Sequence, residues 1–395
     1  MPSLRNWRKK RVTKSDDKKV PALRFKGFTD DWEQRKLGEV LLVNSGKDYK
    51  NLNKGNIPVY GTGGYMLSVN RALSNENAIG IGRKGTIDRP QYLIAPFWTV
   101  DTLFFLTVKN QNDLKFFYAL FQKINWKKYD ESTGLPSLSK STLNNIFLKN
   151  PNYKEQKKIG LLLSQIEVLI TLQQRKLEQL NLLQRALLQR IFANRNLQPD
   201  LRFTNFSGAW EQHKLGNMAN ILRGASPRPI KDKKWFDTNS RIGWIRISDV
   251  TSQNGRVYTL GQHLSKKGQE KTHVVSSQTL LLSIAASVGY PVITYVETGV
   301  HDGFIIFDKP KFNLDFMFFK LQSIQNIWSK YGQPGSQVNI NSSIVANTSI
   351  SIPNIKEQKK ISILLKKIEE NIHLQQNKIN KLQELKRSFL QNMFI

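Results

Sequence analysis

PALRFKGFTDDWEQRKLG, Pro21 to Gly38, returns as PDLRFTNFSGAWEQHKLG, Pro199 to Gly216, at an offset of 199 − 21 = 178 residues. A second phrase opening PNYKEQKKIGLLL, Pro151 to Phe192, returns as one opening PNIKEQKKISILL, Pro353 to Phe394, at an offset of 353 − 151 = 202. The chain is therefore one plan executed twice, with fixed ends and 202 − 178 = 24 more residues between them in the second copy. Its 395 residues accommodate two domains, each large enough for its own core.

The phrase closing each copy predicts a long helix. Asn152 and Glu155, like Asn354 and Glu357, stand at N-cap and N3 of a capping box, with Pro just ahead to stop the helix extending backwards. Apolar residues then recur at steps of four and three: Ile159, Leu163, Ile166, Ile170, Leu177, Leu180, Leu187 and Ile191. The second stripe is Ile361, Leu365, Ile368, Ile372, Ile379, Leu382, Phe389 and Met393. A period of about 3.5 residues over this length is a coiled-coil seam. Each helix, about 40 residues at 1.5 Å per residue, would be roughly 60 Å long, and the two stripes can bury one another as an antiparallel pair within the chain. Gln173 with Gln375, and Gln184 with Lys386, interrupt the seams at equivalent places. Two readings stand for these four, solvent exposure at a frayed edge or fixing of register at some cost in stability.

Residues 39–150 and 217–352 differ from the helices in being rich in short apolar runs, Gly, Pro, Asn and Ser. They predict α+β units, and a weak match at an offset of 201 aligns Pro90 with Pro291, Asp101 with Asp302 and Gly134 with Gly335. The glycine-flanked polar loops of these units are where a base could be read. In the first unit they offer Tyr60, Thr62, Tyr65, Arg83, Lys84, Ser132, Thr133 and Lys140. In the second they offer Arg223, Ser226, Arg228, Arg246, Gln333, Ser336, Gln337 and Asn339. Arg, Gln and Asn can pair bidentately with base edges; the alternative for any one of them is a phosphate contact or a solvated loop.

Sixty Lys and Arg against thirty Asp and Glu leave a formal charge of +30, which points to a polyanionic partner, nucleic acid before a membrane surface, the alternative being an AT-rich genome that inflates Lys, Asn and Ile together. Cysteine is absent, which excludes disulfides and thiolate metal sites and fits a reducing cytoplasm. Residues 1–20 form a basic arm without the apolar core of a signal peptide. The uncharged stretch Val274 to Val296, broken at Gly289-Tyr290-Pro291, predicts two buried strands around a turn and no membrane span.

Catalytic motifs fail on context. GIGRKG, Gly80 to Gly85, matches a dinucleotide fingerprint, but Pro90 and Pro96 follow where a helix would have to lie. NPNY at Asn150 to Tyr153 is a near miss to the tetrapeptide with which adenine methyltransferases hold a flipped base, and its second copy is IPNI. The five histidines have no metal spacing, and no phosphate loop of the GxxxxGK type occurs. No catalytic residue, metal or bound cofactor is expected in this chain.

The duplicated LRF…F…WEQ.KLG and PN.KEQKKI phrases, with WTVDTLFF, WIRISD and HDGFIIF, resemble the specificity subunits of type I restriction-modification systems. The resemblance runs from about Pro21 to Phe394. It implies an α+β chain with two target recognition domains separated by two long helices that form an antiparallel coiled coil, an internal repeat with pseudo-twofold symmetry. Its parts would be a basic arm, 1–20; a first recognition domain, 21–150; a helix and linker, 151–198; a second recognition domain, 199–352; and a closing helix, 353–395. Each domain would read one half of a split, asymmetric DNA target, while the helices set the gap and dock two methyltransferase subunits. S-adenosylmethionine, ATP and magnesium would then belong to those subunits and to the motor and nuclease subunits of the full complex. Two other classes fit the residues alone: a single-chain pseudo-dimeric DNA-binding regulator, and a coiled-coil scaffold with incidental charge.

Overall fold

The computed structural model describes residues 19–192, 197–284, 288–331 and 340–395, together with the short strand Trp7–Lys9. The chain divides into two compact units, 1–175 with 376–395, and 176–375. The division runs through the middle of both long helices, Tyr153–Ile191 and Ile355–Asn392. Each unit thus owns one variable segment, half of one helix and the opposite half of the other, as antiparallel pairing requires.

In the first unit four antiparallel strands lie in the order Leu41–Ser45, Leu103–Val108, Ala78–Gly82, Gln91–Leu93. The two inner strands are almost wholly buried, which is why they read as continuous apolar runs rather than alternating ones. A second sheet holds the hairpin Lys54–Gly61 and Gly64–Val69, with Trp98–Thr99 beside it. The helix Leu114–Lys123, capped by the Asp113 carboxylate on the Phe116 N–H at 2.8 Å, covers the first sheet with Phe116, Phe117 and Phe121.

The second unit repeats this order with Asn220–Arg223, Phe304–Asp308, Thr279–Ser283 and Pro291–Thr294, then adds a fifth strand, Arg256–Val257, parallel to the last. The strands at 279–283 and 291–294 are the two expected within the uncharged stretch, and they pair antiparallel in the core. No helix among the described residues is long and apolar enough to cross a membrane.

The repeated phrases meet in space. In each unit the WEQ.KLG strand pairs antiparallel with the strand that precedes the long helix: Glu33–Lys36 with Phe147–Asn150, and Glu211–Lys214 with Ser349–Ile352. The glycine that follows is pressed against a short helix, so that a Cβ on Gly38 would lie 2.7 Å from Asn144 Oδ1 and one on Gly216 3.1 Å from Ala346 Cβ. From LRF, Arg24 grips Glu155 bidentately at 2.7 Å through both Nε and Nη2, and Arg202 grips Glu357 at 2.8 and 2.9 Å. Both carboxylates are completely buried. Next along each helix, Gln156 and Gln358 accept from the N–H of Asp113 and Asn313 and donate to the carbonyls of Pro151 and Pro353. Lys158 lies over Phe25 and Phe28, and Lys360 over Phe203 and Phe206, 5.0–6.0 Å from the ring centres.

These contacts correct one detail of the helix start. Asn152 and Asn354 do cap, accepting from the N–H of Glu155 and Glu357 at 3.0 Å. The glutamates do not reach back to complete a capping box, because their oxygens are taken by the arginines.

The seam residues Ile159, Leu163, Ile166 and Ile170 share the first unit's core with Phe389, Met393 and Phe394, and Leu382 is half-buried against it. Ile191, Ile361 and Leu365 share the second unit's core, with Leu187 half-buried against it. Ile368 and Ile379 are also buried, whereas Leu177, Leu180 and Ile372 are half-buried. Of the polar interruptions, Gln375 is buried, Gln173 and Gln184 are half-buried, and Lys386 pairs with Glu167 at 2.6 Å. None faces open solvent. Each unit also closes on an aromatic group from the end of a helix: Trp32 meets Phe116 and Phe394, and Trp210 meets Phe316, which in turn meets Phe192.

Arg24→Ala leaves Glu155 buried and uncompensated, a cost of about 3–5 kcal/mol. Hydrogen exchange should loosen the first unit and spare the second, with Arg202→Ala giving the reverse; equal loosening of both units by either change would refute separate clamps.

Candidate nucleic-acid interface

In the first unit the loops singled out by sequence, and in the second those of them among the described residues, gather near one turn, the one that joins the second sheet to the first. In the first unit this turn is Val100–Thr102. The Val100 N–H donates to the Tyr60 carbonyl at 3.0 Å, the Lys47 N–H donates to the Thr99 carbonyl at 2.9 Å, and the Arg83 N–H donates to the Thr102 carbonyl at 2.8 Å. A glycine permits the approach, since a Cβ on Gly46 would lie 1.9 Å from the Val100 carbonyl oxygen.

Around that turn the hairpin presents Tyr65, 63% exposed and directly opposite Tyr60 in register, with Thr62 at the tip. Gln91 props the tip by donating to the carbonyls of Gly61 and Thr62 at 2.8 and 3.2 Å. Arg83 and Lys84 are exposed; the Arg83 guanidinium sits 5.9 Å from the Phe104 ring centre. Their backbone is laced to the loop that carries Ser132 and Thr133, through Leu138 N–H to the Arg83 carbonyl and Gly85 N–H to the Pro136 carbonyl.

That loop is stiffened from inside. Asp130 Oδ1 accepts from the N–H groups of Ser132 and Ser137, while Glu131 accepts from the Ser139 N–H and the Thr142 hydroxyl. The Thr142 and Ser139 hydrogen bonds hold the Glu131 carboxyl below its usual range. Lys140 begins the short helix Lys140–Asn145 and is exposed, so the cluster offers Arg83, Lys84 and Lys140 as cations beside the carboxylates of Asp130 and Glu131.

In the second unit the turn is His301–Gly303, and Asp302 organises it. Its carboxylate accepts from Ser226 Oγ at 2.8 Å and from Arg228 Nη2 at 2.7 Å, and its carbonyl accepts from Arg223 Nε at 3.0 Å. Burial pushes the Asp302 carboxyl up, but the Ser226 hydrogen bond and the charges of His301, Arg228 and Arg223 hold it below its usual range. His301 Nδ1 lies 2.9 Å from the Gly303 N–H and 3.0 Å from Asp302 Oδ1. It accepts from Gly303 when neutral and can donate to Asp302 when charged. Burial lowers the His301 pKa; Asp302 pulls it up, and Arg228 and Arg223 push it down.

Beside this turn a cleft is lined by Trp244, Phe236, Lys231, Lys233, Gln262 and His301. None of these six stood among the sequence candidates. Lys231 and Lys233 are exposed at its rim, whereas Trp244 is buried and Phe236 half-buried, so the cleft offers cationic contacts beside an aromatic wall; Trp-Ile-Arg together with Lys-Asp-Lys-Lys-Trp was the available signal. Arg246 lines the same cleft, but its guanidinium is engaged by Asp249 at 3.2–3.3 Å at the start of the helix Ile247–Ser252. Arg228 and Arg223 are likewise engaged by Asp302, so all three guanidinium groups are already oriented. Gln333, Ser336, Gln337, Asn339 and Gly335 lie outside the described residues.

Asp302→Asn should lower the His301 pKa further and Arg228→Ala should raise it, both read by NMR titration of the imidazole; shifts of the opposite sign would dissolve the cluster. Because the folded chain holds His301 below its unfolded value, the associated stability is complete above pH about 6.5. It is lost as the pH falls through the folded value.

The family described as "Type I restriction modification DNA specificity domain" matches this chain twice, over residues 29–182 and 208–384. A curated relative, the type I restriction enzyme MjaVIII specificity subunit of Methanocaldococcus jannaschii, is 23% identical over 337 residues, 80% of this chain and 75% of that one. Among solved structures, the type I restriction-modification S subunit from M. genitalium superposes with a TM-score of 0.70 at 13% identity, covering 95% of this chain and 99% of its own. A structure from work on complex assembly and conformational transition of the type I restriction-modification system superposes with a TM-score of 0.53 at 16% identity, covering 91% and 96%. With the family's domain matched over both repeats and its fold shared along almost the whole length, the chain belongs to the type I restriction-modification DNA specificity family.

Proposed function

We propose that this chain is the DNA-specificity subunit of a type I restriction-modification complex and has no catalysis of its own. The observation that carries the reading is the doubling of the family domain on a chain of charge +30, each copy presenting a loop cluster around an equivalent turn. Each unit reads one half of a split target. In the first, Arg83, Lys84, Tyr65 and the 130–140 loop meet the DNA. In the second, the Trp244 cleft and the Asp302 cluster do so. S-adenosylmethionine, ATP and magnesium belong to the partner subunits.

Two methyltransferase subunits dock on the long helices. Among the exposed apolar side chains there, six at 39–57% exposure form two matching rows, Leu161, Leu172 and Leu183 on the first helix and Ile363, Leu374 and Leu385 on the second, while Tyr153, Val168, Leu182 and Ile355 are exposed outside the rows. They stand 11 residues apart within each helix and 202 apart between helices. An 11-residue step is about three turns, so each row keeps to one helix face, away from the buried seam. Leu161, Leu172 and Leu385 fall in the first unit; Ile363, Leu374 and Leu183 are their equivalents in the second. Two equivalent apolar sets suit two identical partners. The 3.5-residue seam and the 11-residue rows are both legible in the sequence.

A genome-wide map of N6-methyladenine, in cells producing this chain with its methyltransferase partner and in cells lacking the chain, tests the function. A split asymmetric motif should vanish with the chain; unchanged methylation would favour a regulator without enzyme partners. By native mass spectrometry, Leu172→Glu or Leu374→Glu should each reduce the bound methyltransferase from two copies to one. Two copies retained in both variants would remove the rows from the interface.

A further inference from the structure

Glu167 and Glu369 are the same residue of the repeat, half-buried on the two long helices, yet their charges are answered in different ways. Within the first unit Glu167 is answered by Lys386 of the other long helix at 2.6 Å and by Gln122 of the helix Leu114–Lys123 at 3.0 Å. The repeat places Gln184 at the position equivalent to Lys386, and a neutral amide cannot supply that cation to Glu369. In the second unit the cation comes from the variable segment, where Arg256 Nε donates to Glu369 Oε2 at 2.9 Å.

Arg256 sits on the fifth strand of the second unit's sheet, the strand with no counterpart in the first unit. Its guanidinium is buried, lies 4.3 Å from the Phe318 ring centre, and also pairs with Asp315 at the start of the helix Leu314–Ser323. Lys366 of the long helix approaches Asp315 at 3.8 Å from the other side. Two cations and two carboxylates therefore alternate from sheet to the helix Leu314–Ser323 to long helix. Burial raises the Glu369 carboxyl above its usual range even with Arg256 beside it.

We infer that Arg256 is a positioning residue: through Glu369 and Asp315 it sets the angle at which the second recognition unit stands on the long helix, and so the gap between half-sites that the subunit accepts. The first unit meets the same demand with Lys386, a contact between helices. The planar fork of arginine suits the bridging role, because it reaches two carboxylates at once with fixed directions, whereas a lysine is a single flexible point charge. The added strand is then more than recognition surface; it supplies the cation that Gln184, at the position of Lys386, does not.

The inference rests on the specificity-subunit reading, and the test separates the two. Methylation is mapped for Arg256→Lys, which keeps the charge and loses the fork, and for Glu369→Gln, which keeps the shape and loses the charge. Purified proteins are melted in parallel. Both half-site sequences should persist, while methylation at gaps one base longer or shorter rises about 5-fold or more, the low end of coupling between two sites. An unchanged gap in a folded variant, a changed half-site sequence, or failure of both variants to fold overturns the inference, since Arg256 would then be a plain stability, base-reading or folding residue. Absence of any split motif with the unaltered chain would instead overturn the reading beneath it.

Discussion

A fully buried carboxylate at the start of a helix requires a cation, and in both units one arginine supplies it. Arg24 with Glu155, and Arg202 with Glu357, tie the first segment of each repeat to the last across 131 and 155 residues of chain. The difference, 155 − 131 = 24, is the surplus of the second insert, so whatever varies between the clamped ends is carried as a loop of the frame. Charge pairing at zero exposure is stringent, because breaking it strands a charge in a medium that cannot solvate it. A recognition segment can change in length and surface provided its two ends return to the same arginine, glutamate, glutamine and glycine.

The same economy explains how dissimilar inserts share a sheet. Gly46 and Gly224 bring the outer strand against the turn at 100–102 or 301–303, where a side chain would collide with carbonyl oxygen at 1.9 or 2.1 Å. The turn becomes the point around which polar loops gather, and its side chains are free to differ. Val100 is buried in the first unit, whereas His301 is half-buried and tied to Asp302 in the second. Asp101, equivalent to Asp302, is exposed with no hydrogen-bond or ion-pair partner among the described residues. One backbone device thus carries two electrostatic arrangements, as two different half-sites would require.

Much of this architecture is legible in the chain itself. Repetition at two offsets gives the duplication and the insert; the four-three stripe gives the helices and which face they bury; the uncharged stretch at 274–296 gives two core strands. These follow from periodicity, which is a local property that burial imprints on every copy. The individual candidates were less legible. Nothing in WIRISD announces that Asp249 holds the Arg246 guanidinium, and nothing in KDKKW announces that Lys231 and Lys233 line one cleft with His301.

The sequence by itself determined that there are two copies, where each helix begins and which stripe it hides, since these depend on neighbours three or four residues away. Only the tertiary structure decided which charge answers which. Arg24 is 131 residues from Glu155 and Arg256 is 113 from Glu369, and no pattern along the chain pairs them. Their pairing is set by where the sheet brings its strands, because a buried charge takes the partner that the packing leaves within about 3 Å, whatever their distance along the chain.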